Sequence, residues 1–363
     1  MSKRQQRHNI VEEDIYNILM SDISWEKFHG RSILVTGANG MLLSYVTLTL
    51  LQYRKEHPDS GLRIFALARS TERAKELYAT YWNQDFFSFV EADICEPLSP
   101  SLRFDYIIHG ASPADPKQFG ADPAGVFLPN VMGLYQILQL AQLSKAEGVL
   151  FLSSGAIYGE MDESVSTIRE DMCGSVDPLD ERSCYAEGKR AGETLCAIWS
   201  RQHHVSTKIV RISHTFGPTM NMEADSRVFS EFVRNIVERK NIQMKSDGSA
   251  VRPFCYITDC VEGMFRVLLQ GESGQAYNLA GDEYYSIHEL AEMLCGLFPE
   301  RELRVVRVDR DESDTYLAAK ESAPKIVDTE RLKMLGWRLK VTVQDGLCRT
   351  VMAIEESTSY NRK

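Results

Sequence analysis

The spacing with most chemistry in it is Tyr185-Ala-Glu-Gly-Lys189. On a helix, positions i and i+4 share a face, so this spacing sets a phenol and an ammonium side by side. A nearby positive charge lowers a tyrosine pKa, which makes Tyr185 usable as a general base near neutral pH. Such a pair also arises by chance, and taken alone it reads as structural. Upstream, Val149–Ser154 is an apolar run that closes on two hydroxyls, Ser153 and Ser154. Ser154 can hydrogen-bond an oxygen reacting beside Tyr185, whereas Ser153 reads as an ordinary turn cap.

A second group of residues suits a phosphate. Ile33-Leu-Val-Thr-Gly37-Ala-Asn-Gly40-Met places two glycines at a strand-to-helix junction. Glycine permits the tight turn, and the free N–H groups of the following helix favour a pyrophosphate. Leu43 stands where a third glycine commonly packs helix on strand, so by itself the motif serves a dinucleotide or a plain turn equally. The second strand ends Ala68-Arg69-Ser70, without the acid that NAD-binding folds place there for the ribose. Arg69 suits the 2′-phosphate of NADP, or else faces solvent. A bound nicotinium would acidify Tyr185 further.

The elements that must position these groups alternate in type. Apolar runs at 32–36, 63–68, 86–92, 106–109, 148–153 and 208–212 predict strands. Helical patterns fall at 41–56, 71–81, 131–145 and 185–202. Repeated strand–helix units predict an α/β fold, a doubly wound parallel (Rossmann) sheet covered on both faces. Beyond 216–218 helical segments alternate with polar loops, which predicts a smaller C-terminal substrate-binding α/β domain. The expected division is a helical extension at 1–29, a dinucleotide-binding domain at 30–211 and a substrate domain at 212–363.

Composition sets outer bounds. The 363 residues are 44% hydrophobic and 25% charged, which is ordinary globular usage. A net charge of −10 argues against broad electrostatic binding to nucleic acid or an anionic membrane. Eight scattered cysteines, none in a Cys-x-x-Cys pair, read as reduced thiols in a cytoplasmic protein and predict neither disulfides nor a metal site. Met1 to Asn9 is basic, polar and followed by no apolar run, so a signal peptide is not expected. The most apolar window, Ile33 to Leu51, is broken by Gly37 and Gly40 and reads as strand plus helix.

Further motifs occur in order with these: Asp93-Ile94, Ile108-His-Gly-Ala-Ser112, Asn130-Val-Met-Gly133 and Ser-Ser-Gly-Ala-Ile-Tyr158-Gly159. Together the set resembles the extended short-chain dehydrogenase/reductase family, the NAD(P)-dependent nucleotide-sugar epimerases and dehydratases. The likeness runs from about Ser32 to Gly346. The C-terminal half is most similar to UDP-glucuronate decarboxylases, in Cys184–Arg190, Arg211–Pro218, Ser226–Ser230, Gly248–Phe254 and Leu335-Gly-Trp337.

The resemblance implies that Gly37, Asn39, Gly40 and Met41 line the pyrophosphate. It places Asp93 and Ile94 at the adenine, Gly110, Ala111 and Ser112 along the cofactor's middle, and Lys189 also at the nicotinamide ribose. It assigns Arg227 and Arg252 to the diphosphate and ribose of a sugar nucleotide, a task that suits planar guanidinium groups, and Asn130 to fixing the sheet. A homodimer through two helices per subunit is also implied.

Two departures stand out. Dehydratases and decarboxylases of this family carry acids just after the catalytic hydroxyl, where this chain has Gly155 and Ala156. Elimination and decarboxylation are therefore disfavoured. His214 replaces an asparagine that faces substrate in relatives; it could donate to a sugar or phosphate oxygen and titrate near neutrality, or pack at a strand end. The expected activity is oxidoreduction at C4 of a nucleoside-diphosphate sugar. A 4-epimerase is placed first and an NADPH-dependent reductase of a 4-keto sugar second, with a non-catalytic cofactor-binding subunit as the alternative of another class.

Overall fold

The computed structural model describes residues 9–99, 103–220, 222, 225, 227–308 and 324–360. Most of the basic leader at 1–8, and Ser226 of the Ser226–Ser230 motif, lie outside them. Seven short strands form one parallel sheet: β1 (Ser32–Thr36), β2 (Arg63–Ala68), β3 (Phe87–Glu91), β4 (Tyr106–His109), β5 (Gly148–Ser154), β6 (Thr207–Ile212) and β7 (Gln275–Leu279). Their order across the sheet is β7-β6-β5-β4-β1-β2-β3. Residues of β1, β4 and β6 are buried throughout, because helices cover both faces; that is why they read as unbroken apolar runs. Winding reverses direction between β1 and β4. A crevice therefore opens at their carboxyl ends, at Gly37 and Gly110.

Helices α1 (Ile10–Leu19), α2 (Met41–Glu56), α3 (Leu134–Ser144), α4 (Cys184–Gln202) and α5 (Ile257–Gln270) carry most of the cover. The helical run 123–144, which includes α3, is long and apolar enough to cross a membrane. It buries Leu134, Ile137, Leu138 and Ala141 in the core beside the sheet. Small residues let α4 lie close on β5: a Cβ on Gly192 would stand 2.5 Å from the Phe151 ring. This close approach is what brings Lys189 to the end of β5.

The expected division at 212 is crossed by the chain. After a three-stranded sheet of His214–Phe216, Val251–Tyr256 and Tyr284–Ser286 has begun, α5 packs back on β5 and β6, and β7 pairs with β6 along its whole length. The Rossmann sheet thus draws on residues up to 279. The N-terminal stretch is helical at Ile10–Leu19 and packs on the sheet's cover: Trp25 and Phe28 are buried against Tyr53, Phe265 and Tyr106. Asp14 is buried on α1, where it pairs with Arg349 at 2.8 Å and accepts hydrogen bonds from Tyr45 (2.9 Å) and Tyr256 (2.6 Å). One carboxylate therefore holds α1, α2, the small sheet and the C-terminal helix together.

Candidate active site

The sheet's carboxyl edge and the smaller lobe enclose a cavity of about 2620 Å³. Pockets for one drug-sized ligand are roughly 300–1,000 Å³, so this one has room for two large ligands. Every residue assigned above to catalysis, cofactor or substrate lines it. Asn130 lies behind the wall instead, its amide donating to Ser112 Oγ and Val126 O at 2.8 Å each.

At one end the glycine turn sits as expected. Gly37 has φ +74°, and a Cβ there would lie 2.8 Å from Ala111 Cα, so only glycine fits. Gly40 caps α2, whose first N–H groups have no partner within the helix. Leu43, in place of the third glycine, lies over Gly110, where a Cβ would stand 2.7 Å from its Cδ2. Bulk at one position is matched by its absence at the other. Asn39 donates to Ser70 O at 2.8 Å while its Oδ1 is buried without a partner. Ile94 is buried under Gly133, Asp93 accepts from the Cys95 amide at 2.9 Å, and Arg69 is exposed where β2 ends. A strained turn, an orphaned amide oxygen and a row of unpaired helix N–H groups fit a dinucleotide.

At the centre, Ser154 acts on the Tyr185 phenol, lowering its pKa, and the Tyr185 ring stacks on Phe119 with centroids 4.9 Å apart and planes at 13°. Lys189 is 4% exposed; its Nζ donates to Leu152 O at 2.6 Å and lies 5.6 Å from the Tyr185 ring centre. Here the expectation needs correction. Burial raises the Tyr185 pKa against the lowering effects of Ser154 and Arg227, and burial pushes Lys189 down to about 7 against Glu193. Lys189 alone does not acidify the phenol; a further positive charge must arrive with a ligand.

The far end is built from the small lobe. The Arg227 guanidinium grips Asp225 through Nε (2.9 Å) and Nη2 (2.6 Å), which leaves its other edge for a ligand. Arg252 donates to Val251 O at 2.8 Å. His214 lines the cavity with its side chain exposed there. Desolvation by the walls, then the Arg252 and Arg227 guanidinium groups, push its pKa down to about 4, which favours the neutral ring.

Other contributors escaped the sequence. Ser153 is no simple turn cap: its hydroxyl donates to Glu193 Oε1 at 2.5 Å, and Glu193 also binds Arg211 at 2.7 Å. His109 backs Lys189 and is held neutral, its pKa pushed down to about 3 by burial and by Lys189. Phe119 had no signal beyond being an aromatic in a polar loop. Glu193 was legible as the next residue at i+4 from Lys189.

Residues 33–280 match the model of the NAD dependent epimerase/dehydratase family. The chain belongs to that family. Among its curated relatives, UDP-glucuronic acid decarboxylase 6 of Arabidopsis thaliana is 32% identical over 316 residues, covering 87% of this chain and 86% of the relative. UDP-glucuronic acid decarboxylase 1 of Danio rerio is 29% identical, covering 88% and 72%. Among solved structures, the UDP-glucose 4-epimerase of Thermotoga maritima superposes with a TM-score of 0.75 at 20% identity, covering 90% of this chain and 99% of that one. The UDP-glucuronic acid 4-epimerase of Bacillus cereus, bound to UDP-glucuronic acid and NAD, gives 0.74 at 22%, with the same coverage. These likenesses show the Rossmann-type fold. As a member of this family the protein is an NAD-dependent enzyme.

Proposed function

We propose that the protein is an NAD-dependent 4-epimerase of a nucleoside-diphosphate sugar. The observation that carries this is that Ser154, Tyr185 and Lys189 line one cavity while Gly155 and Ala156 stand where the family's acids follow the hydroxyl. A Cβ on Gly155 would find its nearest neighbour, Ile212 O, 3.9 Å away, so there is space at this position for a side chain that glycine does not supply. The curated relatives favour UDP-glucuronate decarboxylation instead, but this wall lacks the acid that such chemistry uses in the family.

Gly37, Asn39, Gly40, Met41, Asp93, Ile94 and Gly110 to Ser112 would hold the dinucleotide, which when bound supplies the hydride acceptor and donor. Tyr185 Oη takes the proton from the C4 hydroxyl and later returns one. Ser154 Oγ donates to the same oxygen as charge develops on it. Arg227 and Arg252 bind the diphosphate and ribose. Neutral His214 offers one donor and one acceptor to the sugar or phosphate. Incubating UDP-glucuronate and other sugar nucleotides with enzyme, followed by NMR, tests the reading. A C4 epimer with no net change at 340 nm supports it; release of CO₂ overturns it.

A second reading, the reduction of a 4-keto sugar by NADPH, rests on Arg69. No acid ends β2, although Glu91 from β3 accepts from the Thr71 amide nearby at 3.4 Å. If Arg69 contacts a 2′-phosphate, Arg69→Ala weakens NADPH binding by about 5- to 10-fold and leaves NADH unchanged, the loss of roughly 1 kcal/mol. Fluorescence titration of both cofactors checks this, and equal effects on the two would remove the case for NADP.

We also propose a homodimer. Leu128, Met132, Leu143 and Ile198, on the helical run 123–144 and on α4, are exposed apolar residues. Light scattering should return twice 41.2 kDa. A mass of one chain would end this proposal.

A further inference from the structure

The Lys189 ammonium lies in a nearly dry setting, and what keeps it charged is not obvious from Tyr185 and Ser154. Its one hydrogen-bond acceptor is neutral, Leu152 O on β5, and the Phe151 ring centre is 5.0 Å away. The groups around it can be taken element by element. From α4 come Tyr185 and Glu193, and from β4 comes His109, which burial keeps neutral. Ser153 and Ser154 of β5 and Arg211 of β6 line the same cavity as Lys189. Arg227 faces Tyr185 from the small lobe. Glu193 is the anion that acts on Lys189.

Glu193 is itself tightly fixed. Ser153 Oγ donates to its Oε1 at 2.5 Å, Arg211 Nε lies 3.0 Å from Oε1, and Arg211 Nη2 lies 2.7 Å from Oε2. Arg211 is anchored in turn on Glu170 O at 2.8 Å and the Tyr158 hydroxyl at 3.0 Å, and Tyr158 donates to Asn278 at 2.5 Å. This chain of bonds ties α4 to β5, β6 and β7 just behind the cavity. Ser153 also sits between Leu152, which holds Lys189, and Ser154, which acts on Tyr185.

We infer that Glu193 is a positioning residue: its fixed carboxylate keeps Lys189 in the ammonium form and locks the end of β5 that presents Leu152 O and Ser154. Two roles meet in one side chain, a charge one turn from Lys189 and a hydrogen bond to the strand that Lys189 and Tyr185 both touch. The inference rests on the proposed use of Tyr185 and Lys189 in catalysis. Burial already brings Lys189 to about 7, so loss of the carboxylate tips it towards the neutral amine at physiological pH.

The test reads Lys189 directly. Full-length protein labelled with [6-¹³C]lysine is titrated by NMR, with the Lys189 signal assigned by its loss in Lys189→Met. In Glu193→Gln the midpoint is expected to fall by about one pH unit, the usual scale for removing an adjacent opposite charge. In Ser153→Ala, which keeps the charge, it stays in place. Should Glu193→Gln leave Arg211 unpaired and the protein unfolded, Glu193→Gln with Arg211→Met removes the pair together; the midpoint then falls by less, because a cation is lost with the anion. A Lys189 midpoint unmoved in a folded Glu193→Gln, or raised in the double variant, would overturn the inference. The readout needs no turnover. Wild-type enzyme that converts no sugar nucleotide, yet shows the shift in Glu193→Gln, defeats the proposed function and leaves this inference standing. With an active substrate in hand, the alkaline limb of kcat moves to lower pH in Glu193→Gln, whereas simple loosening of the fold would lower kcat equally at all pH.

Discussion

Tyr185→Phe is expected to reduce kcat by about 10³-fold, within the range for loss of a positioned general acid–base group. The variant removes one oxygen and little else. The ring keeps its stack on Phe119, 4.9 Å between centroids, and Lys189 keeps its bond to Leu152 O. NADH binding and the unfolding midpoint should therefore match the wild type, which separates lost chemistry from lost structure. Steady-state kinetics with the epimerised sugar nucleotide, beside a cofactor titration, gives both numbers. A variant that retained kcat would remove Tyr185 from the reaction, and with it the proposed function.

Lys189→Met should do the opposite to stability. The folded-state pKa of Lys189 is depressed from 10.5 to about 7, so between those values the unfolded chain binds the extra proton and folding is penalised. The penalty is complete below pH 7 and is relieved as pH rises towards 10.5. Methionine has similar length and no charge to bury. After subtracting the lost bond to Leu152 O, a gain of about 1–3 kcal/mol at pH 7 is expected, with turnover abolished. Urea unfolding from pH 6 to 10 checks the sign. The wild type should gain stability relative to the variant as pH rises. A variant less stable at pH 7 would show that Lys189 supports the fold instead of burdening it.

Much of this site was legible because its residues act through local spacing. Tyr185 and Lys189 announce themselves at i and i+4, and Gly37 and Gly40 punctuate a strand and a helix. Strands buried on both faces declare themselves as apolar runs. What stayed hidden depends on partners far away in the chain. Ser153 read as a turn cap because Glu193 is 40 residues on. The boundary at 212 failed because β7 is a five-residue strand of mixed polarity, Gln275–Leu279, that only its pairing with β6 identifies. The lowered pKa of Lys189 follows from its burial, which no spacing records. Leu43 looked like a defect in the glycine motif until Gly110, from another strand, proved to be its complement.

The cluster around Asp14 limits how far the two lobes can part. Its carboxylate fastens the rear of both lobes, so swinging them apart like a clamshell would strand a charge among Tyr45, Tyr256 and Arg349.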